Sequence, residues 1–108
     1  MINNYLIKIV LWLLFQSITC LIFAQENLSV MTYNIRYDSP NDGLDQWDNR
    51  KKILTDQIQF YAPTILGIQE GLLHQIEYIK ETLKDYEYLG VGRDDGEKKG
   101  EYCALFYN

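Results

Sequence analysis

The sequence is poor in several residues that many small exported folds and many catalytic sites rely on. Among 108 residues there are two cysteines, one histidine and two prolines. Cys20 falls in the apolar N-terminal stretch, which leaves Cys103 with no partner for an internal disulfide, so the fold does not rest on a bridge. Cys103, inside an apolar run, reads as a small buried apolar residue. A basic excess is missing too. Ten Lys and Arg against fifteen Asp and Glu give a formal charge of −5, which argues against a broad basic face gripping a nucleic-acid backbone. A narrow phosphate site carrying its own cation stays open. No internal repeat or low-complexity segment occurs. The glycines of "GVGRDDG" (90–96) miss the dinucleotide-binding spacing and precede a strand. "DSPNDG" from Asp38 fails as a calcium loop, because Pro40 takes a ligand position and Asn49 stands where a closing glutamate belongs. Lys98 and Lys99 form too short a run for a nucleic-acid patch.

What is present is enough for one packed domain, with 47% of residues hydrophobic. Residues 1–24 stand apart. One early lysine, Lys8, precedes an apolar run over 9–15, a short polar patch and "LIFAQ". This is the layout of a secretory signal peptide with Ala24 at the −1 position and cleavage before Gln25. A permanent anchor is the alternative, but Gln16, Ser17 and Thr19 interrupt the run and leave it short for a span. Lipidation at Cys20 is disfavoured, since "SIT" before it lacks the usual Leu and small-residue pattern. The expectation is therefore an exported protein, periplasmic or extracellular, with no stable membrane span after cleavage and the domain proper over 25–108.

The mature part reads as β-α-β-α-β-β. Residues 28–33 alternate apolar and small side chains, as a strand does, and "SPNDGLDQWDN" is a loop of turn formers. A helix is predicted over 48–61, with Trp47, Leu54, Ile58 and Tyr61 on one face and Asp45 or Asp48 as its cap; Pro63 stops it. The near-continuous apolar run 64–69 predicts a strand covered on both faces. The next helix is predicted over 72–83, with Leu72, Ile76, Ile79 and Leu83 as its apolar stripe. A short strand over 86–91, a polar glycine-punctuated loop and a last strand, "YCALFY", complete the order. The predicted fold class is α/β, a layered sheet whose first two strands are neighbours.

Two polar residues end apolar strands. Asn34 closes the first and Glu70 closes the second, at the carboxyl ends where open α/β sheets bind ligands. A carboxylate at the end of a core strand costs free energy unless something positive meets it. A carboxamide and a carboxylate brought together are hard oxygen ligands, suited to Mg²⁺ or Mn²⁺. The competing reading is a turn at Asn34 and a helix cap at Glu70.

"MTYNIR", "ILGIQEG" and "GRDDG" with "GEYCALFY" resemble the endonuclease/exonuclease/phosphatase superfamily, the deoxyribonuclease I-like metal-dependent phosphohydrolases, over essentially all of 28–108. The resemblance implies the N-terminal part of a two-sheet α/β sandwich, truncated relative to the family. It implies Asn34 and Glu70 as metal ligands, Arg36 reaching a substrate phosphate, and Glu101 orienting a catalytic histidine. Arg36 has a rival reading as an ion pair with Asp38 or Asp42. Arg93, Asp94 and Asp95 line a cleft or form a solvated hairpin loop.

The family's catalytic histidine, Asp-x-Asn pair and closing Asp-His motif do not occur in this sequence. His74, the single histidine, reads as a helix-surface residue rather than a general base. Without those groups nothing activates water or protonates a leaving group. The chain alone is expected to be inactive and poorly folded, with an unpaired sheet edge and an uncovered face. The expected whole is a monomeric, Mg²⁺- or Mn²⁺-dependent phosphohydrolase cleaving monoesters or diesters, its substrate a small phosphorylated metabolite, a phospholipid head group or nucleic acid. The alternatives are a secreted endonuclease or exonuclease and, from another class, a non-catalytic remnant or binding domain.

Overall fold

A computed structural model of the chain describes residues 3–22 and 27–108. The proposed cleavage point at Ala24 and the Cys20 side chain lie outside the described part. The elements are α1 (Asn4–Ile22), β1 (Val30–Asn34), a short 3₁₀ turn (Gly43–Asp45), α2 (Trp47–Tyr61), β2 (Ile65–Gly71), α3 (Leu73–Thr82), β3 (Glu87–Leu89) and β4 (Tyr102–Tyr107). Among the described residues no helix is long and apolar enough to cross a membrane.

The four strands form one mixed sheet in the order β1-β2-β4-β3. β1 and β2 are parallel, with Asn34 opposite Gln69, because α2 crosses between them and returns the chain in the same direction. β4 then runs antiparallel between β2 and β3. Side chains alternate across every strand. On one face Leu66, Ile68, Tyr102, Ala104 and Phe106 are buried with Trp47, Leu54 and Ile58 of α2 and Ile76 and Ile79 of α3. This single cluster is the core.

The opposite face carries Val30, Leu105 and Tyr107, each more than 40% exposed. The expectation that β2 is covered on both faces is therefore corrected: Ile65, Gly67 and Gln69 are only half-buried. Cys103 is corrected likewise. It is exposed, because it is out of phase with Tyr102 and Ala104 on a strand whose burial alternates residue by residue.

The helix boundaries shift by a residue or two. Gln46, without a side-chain bond, stands at the N-cap of α2 in place of Asp45 or Asp48. Asp48 lies inside the first turn, bonded to Lys51 Nζ at 2.6 Å. Tyr61 is 61% exposed at the helix end, and buried Thr55 fills the stripe. Ala62, in the left-handed region, terminates the helix before Pro63. Ile76 and Ile79 of α3 and Leu83 at its C-cap form the buried stripe, while Leu72 is extended and precedes the helix. β3 is shorter than expected, because Tyr86 leaves the strand to enter the core and donates its hydroxyl to Pro63 O at 2.6 Å.

Gly71 ends β2 against α3. A methyl group there would stand 2.6 Å from Ile76 Cδ1 and 3.3 Å from Ile35 Cδ1. Gly71→Ala is expected to lower stability by about 1–3 kcal/mol through overpacking, measured by chemical denaturation; an unchanged midpoint would show that the helix and strand can move apart.

Candidate metal and phosphate site

Asn34 and Glu70 end adjacent parallel strands, so the sheet brings them to the same edge. Two local distortions aim them at each other. The pairing of β2 with β4 slips by one residue between Ile68 and Gly71, a bulge that re-aims the side chains it contains. Within it Glu70 adopts φ 62°, and across from it Arg36 adopts φ 57°. Such left-handed conformations cost roughly 1–3 kcal/mol each for residues other than glycine and persist only where their surroundings enforce them.

The enforcement is a chain of hydrogen bonds. Asn34 Nδ2 donates to Glu70 Oε1 at 2.8 Å. Arg36 N–H donates to Asn34 Oδ1 at 2.9 Å, and Tyr37 N–H reaches Glu70 Oε2 at 3.4 Å. Arg50, from α2, grips the same loop: its guanidinium donates to the carbonyls of Ile35, Arg36 and Tyr37. The bond from Asn34, then the one from Tyr37 N–H and the nearby Arg36 charge, hold the Glu70 carboxyl below its ordinary value. Glu70 is thus an ionised carboxylate whose orientation is fixed from both oxygens.

The pair opens on a cleft of about 480 Å³ lined by Asn34, Gln69, Glu70, Gly90, Val91, Arg93, Glu101, Tyr102 and Cys103. Glu101 is there, ion-paired through Oε2 with Arg93 Nη1 at 2.7 Å. Arg93 therefore lines the cleft, whereas Asp94 and Asp95 are exposed hairpin residues outside its lining. Asp95 Oδ1 shapes that hairpin by accepting from the N–H groups of Glu97, Lys98 and Lys99 at 2.8–2.9 Å. Arg36 turns away from the cleft to Asp42 at 2.9 Å and Asp45 at 3.6 Å, lining a smaller hollow with Arg50 and Ile53. His74 is exposed on α3, its Nε2 2.8 Å from Asp38 Oδ2.

As a cation site the donor set is hard, ionised and partial. Each Glu70 oxygen keeps a free lone pair beyond its one N–H donor, and Asn34 Oδ1 keeps one as well. Magnesium is commonly held by one or two carboxylates, with water and substrate phosphate completing the shell. Among the described residues no group of three His, Cys, Asp or Glu side chains gathers into a complete cage. The residues present fit the exposed half of a Mg²⁺-type site.

A mannosyl-6-phosphatase of Bacteroides thetaiotaomicron matches 76% of this chain and is matched over 32% of its own length, with 42% identity and a TM-score of 0.73. An endonuclease/exonuclease/phosphatase family protein from the same species matches 75% of this chain at 42% identity and TM-score 0.72. The chain belongs to the endonuclease/exonuclease/phosphatase family. A third family protein, from Bacteroides vulgatus, matches 74% of the chain at 40% identity and TM-score 0.68. The chain spans about 30–32% of the length of these family structures. No protein-family model and no curated protein matches it. Endonuclease/exonuclease/phosphatase enzymes generally depend on a divalent metal.

In metal-free solution the Glu70 carboxyl is expected to titrate below the ordinary 4.5, followed by carboxyl ¹³C NMR. A depressed folded-state value adds stability that is complete above the unfolded-state value and disappears as pH falls through the folded one. Asn34→Ala, which removes the largest cause, moves the midpoint back toward 4.5. A wild-type midpoint at or above 4.5 would contradict the hydrogen-bonded geometry.

Proposed function

We propose that this chain is the N-terminal part of an exported, divalent-metal-dependent phosphoric-ester hydrolase whose substrates are small phosphorylated sugars. The observation that carries the proposal is the fixed Asn34–Glu70 pair at the mouth of a small cleft. Support for the substrate class comes from the 42% identity to a mannosyl-6-phosphatase. The formal charge of −5 favours a small ester over a polyanionic nucleic acid, whose binding draws on many cationic contacts.

Glu70 and Asn34 would hold Mg²⁺ or Mn²⁺. The bound cation supplies charge neutralisation at the phosphoryl oxygens and a template for in-line attack by water. The chain's own groups have defined tasks around it. Asn34 Nδ2 keeps the Glu70 carboxylate pointed into the cleft. Arg36 keeps its bond to the largely buried Asp42, whereas its looser contact with the exposed Asp45 is a surface ion pair worth about 0–1 kcal/mol, so on that side it exchanges one anion for another at little cost. A phosphate oxygen is such an anion, and the planar guanidinium fork suits it. In the same cleft lining Glu101 is assigned to orient a catalytic histidine supplied by further sequence, with Arg93 holding the carboxylate meanwhile. Export rests on Lys8, the apolar run after it and the small residue at Ala24.

The gene product expressed in full is expected to release phosphate from hexose 6-phosphates when supplied with Mg²⁺ or Mn²⁺ and to leave plasmid DNA intact. Glu70→Gln is expected to reduce that turnover at least a hundredfold, on the order of losing one preorganised electrostatic contact, with the thermal melt little changed. Turnover unaffected by Glu70→Gln removes the metal assignment. Cleavage of plasmid DNA with no release from the sugar phosphates moves the assignment to the nuclease class.

A further inference from the structure

Gln75 is an anomaly in the core. It lies in the first turn of α3 and is fully buried, yet its side chain is polar at both ends. A buried carboxamide is tolerated only if it is paired, and here every partner is backbone. Oε1 accepts from Leu72 N–H at 3.0 Å and from Asp38 N–H at 3.3 Å. Nε2 donates to Arg36 O at 3.1 Å.

The identity of those partners matters more than their number. Leu72 is two residues past Glu70. Asp38 follows Tyr37, whose N–H meets Glu70 Oε2. Arg36 is the left-handed residue whose N–H takes Asn34 Oδ1. One side chain thus ties together the segment leaving β1 and the segment leaving β2, the two pieces of backbone that hold the site residues at opposite sides of one hydrogen bond. Arg50 grips the β1 segment alone, through carbonyl groups; Gln75 bridges both.

We propose that Gln75 is a positioning residue for the metal carboxylate. It touches neither cation nor substrate, and it holds Arg36 and Glu70 in the backbone conformations that aim the Glu70 carboxylate into the cleft. The inference rests on the proposed metal role of Glu70. Groups bonded directly to a metal ligand are typically worth 10–100-fold in metal affinity; Gln75 acts one step further out, through the backbone of Arg36, Asp38 and Leu72, so the lower end of that range sets the largest effect expected.

The test uses the gene product expressed in full, carrying Gln75→Met or Gln75→Glu, with Mn²⁺ alone as the probe. Gln75→Met keeps the volume and removes all three hydrogen bonds. Gln75→Glu keeps the acceptor contacts and loses the bond to Arg36 O. Calorimetry measures Mn²⁺ affinity, and NMR reports the Glu70 carboxyl carbon and the Tyr37 amide against the amides of Ile58 and Ile79. Affinity about tenfold weaker in Gln75→Met and several-fold weaker in Gln75→Glu is expected. The Glu70 and Tyr37 signals should be displaced and the core amides unmoved, a pattern that general loosening does not produce. Equal affinity with unmoved Glu70 and Tyr37 signals in either folded variant overturns the proposal. Loss of the fold in both variants overturns it as well, since Gln75 would then serve stability alone. Absence of Mn²⁺ binding by the wild type removes the metal reading instead, and displacement of the Glu70 and Tyr37 signals then still decides whether Gln75 positions the carboxylate.

Discussion

The site depends on one hydrogen bond, from the Asn34 carboxamide nitrogen to Glu70 Oε1 at 2.8 Å. It joins the ends of two parallel strands that the sheet already holds side by side, and it fixes which carboxylate oxygen lone pairs remain available. Both flanking residues with positive φ, Arg36 and Glu70, are conformations the chain avoids in isolation. They are held because the amide of Asn34 bonds in two directions at once, to Glu70 through nitrogen and to Arg36 N–H through oxygen. Rotating the amide would break both contacts together.

The core makes that bond possible at a distance. Ile58, Ile76, Ile79 and Phe106 are fully buried and set the position of both helices against one face of the sheet. α2 then delivers Arg50 to the loop after β1, while α3 begins directly behind Glu70. Gly71 permits the close approach, since a side chain there would strike Ile76 and Ile35. The other face of the sheet contributes Asn34, Gln69 and Cys103 to the cleft. The charge arrangement follows the same logic. Glu70 and Glu101 both line the cleft, but Glu101 is paired with Arg93 while Glu70 is held by neutral amide donors, which leaves the Glu70 carboxylate the one that a bound cation would neutralise.

Much of this was legible in the residues. Branched apolar runs marked β1, β2 and β4, and the spacing of Ile76, Ile79 and Leu83 marked the buried stripe of α3, because alternation and helical periodicity are local signals. Asn34 and Glu70 stood out as polar residues closing apolar strands. Cys103 misled because an apolar neighbourhood in sequence does not say which face of a strand a residue takes. The cap of α2 misled because Asp45 and Asp48 have other partners, Arg36 and Lys51. Neither the bulge before Gly71 nor the central place of β4 in the sheet has a local signature; both are fixed by pairing across more than thirty residues of chain. Gln75 reads from sequence as a polar position beside the apolar stripe, and only its three backbone partners give it a meaning.

The central claim is that Asn34 and Glu70 converge on one hard cation. The direct measurement is a Mn²⁺ titration of the isotopically labelled gene product expressed in full, read as paramagnetic broadening of individual resonances. The account predicts that the Asn34 side-chain amide and the Glu70 carboxyl carbon broaden first, followed by Arg93 and Glu101 elsewhere in the cleft lining. Broadening that begins at Asp38, Asp42 and Asp45, or that never reaches Asn34 and Glu70, would contradict it.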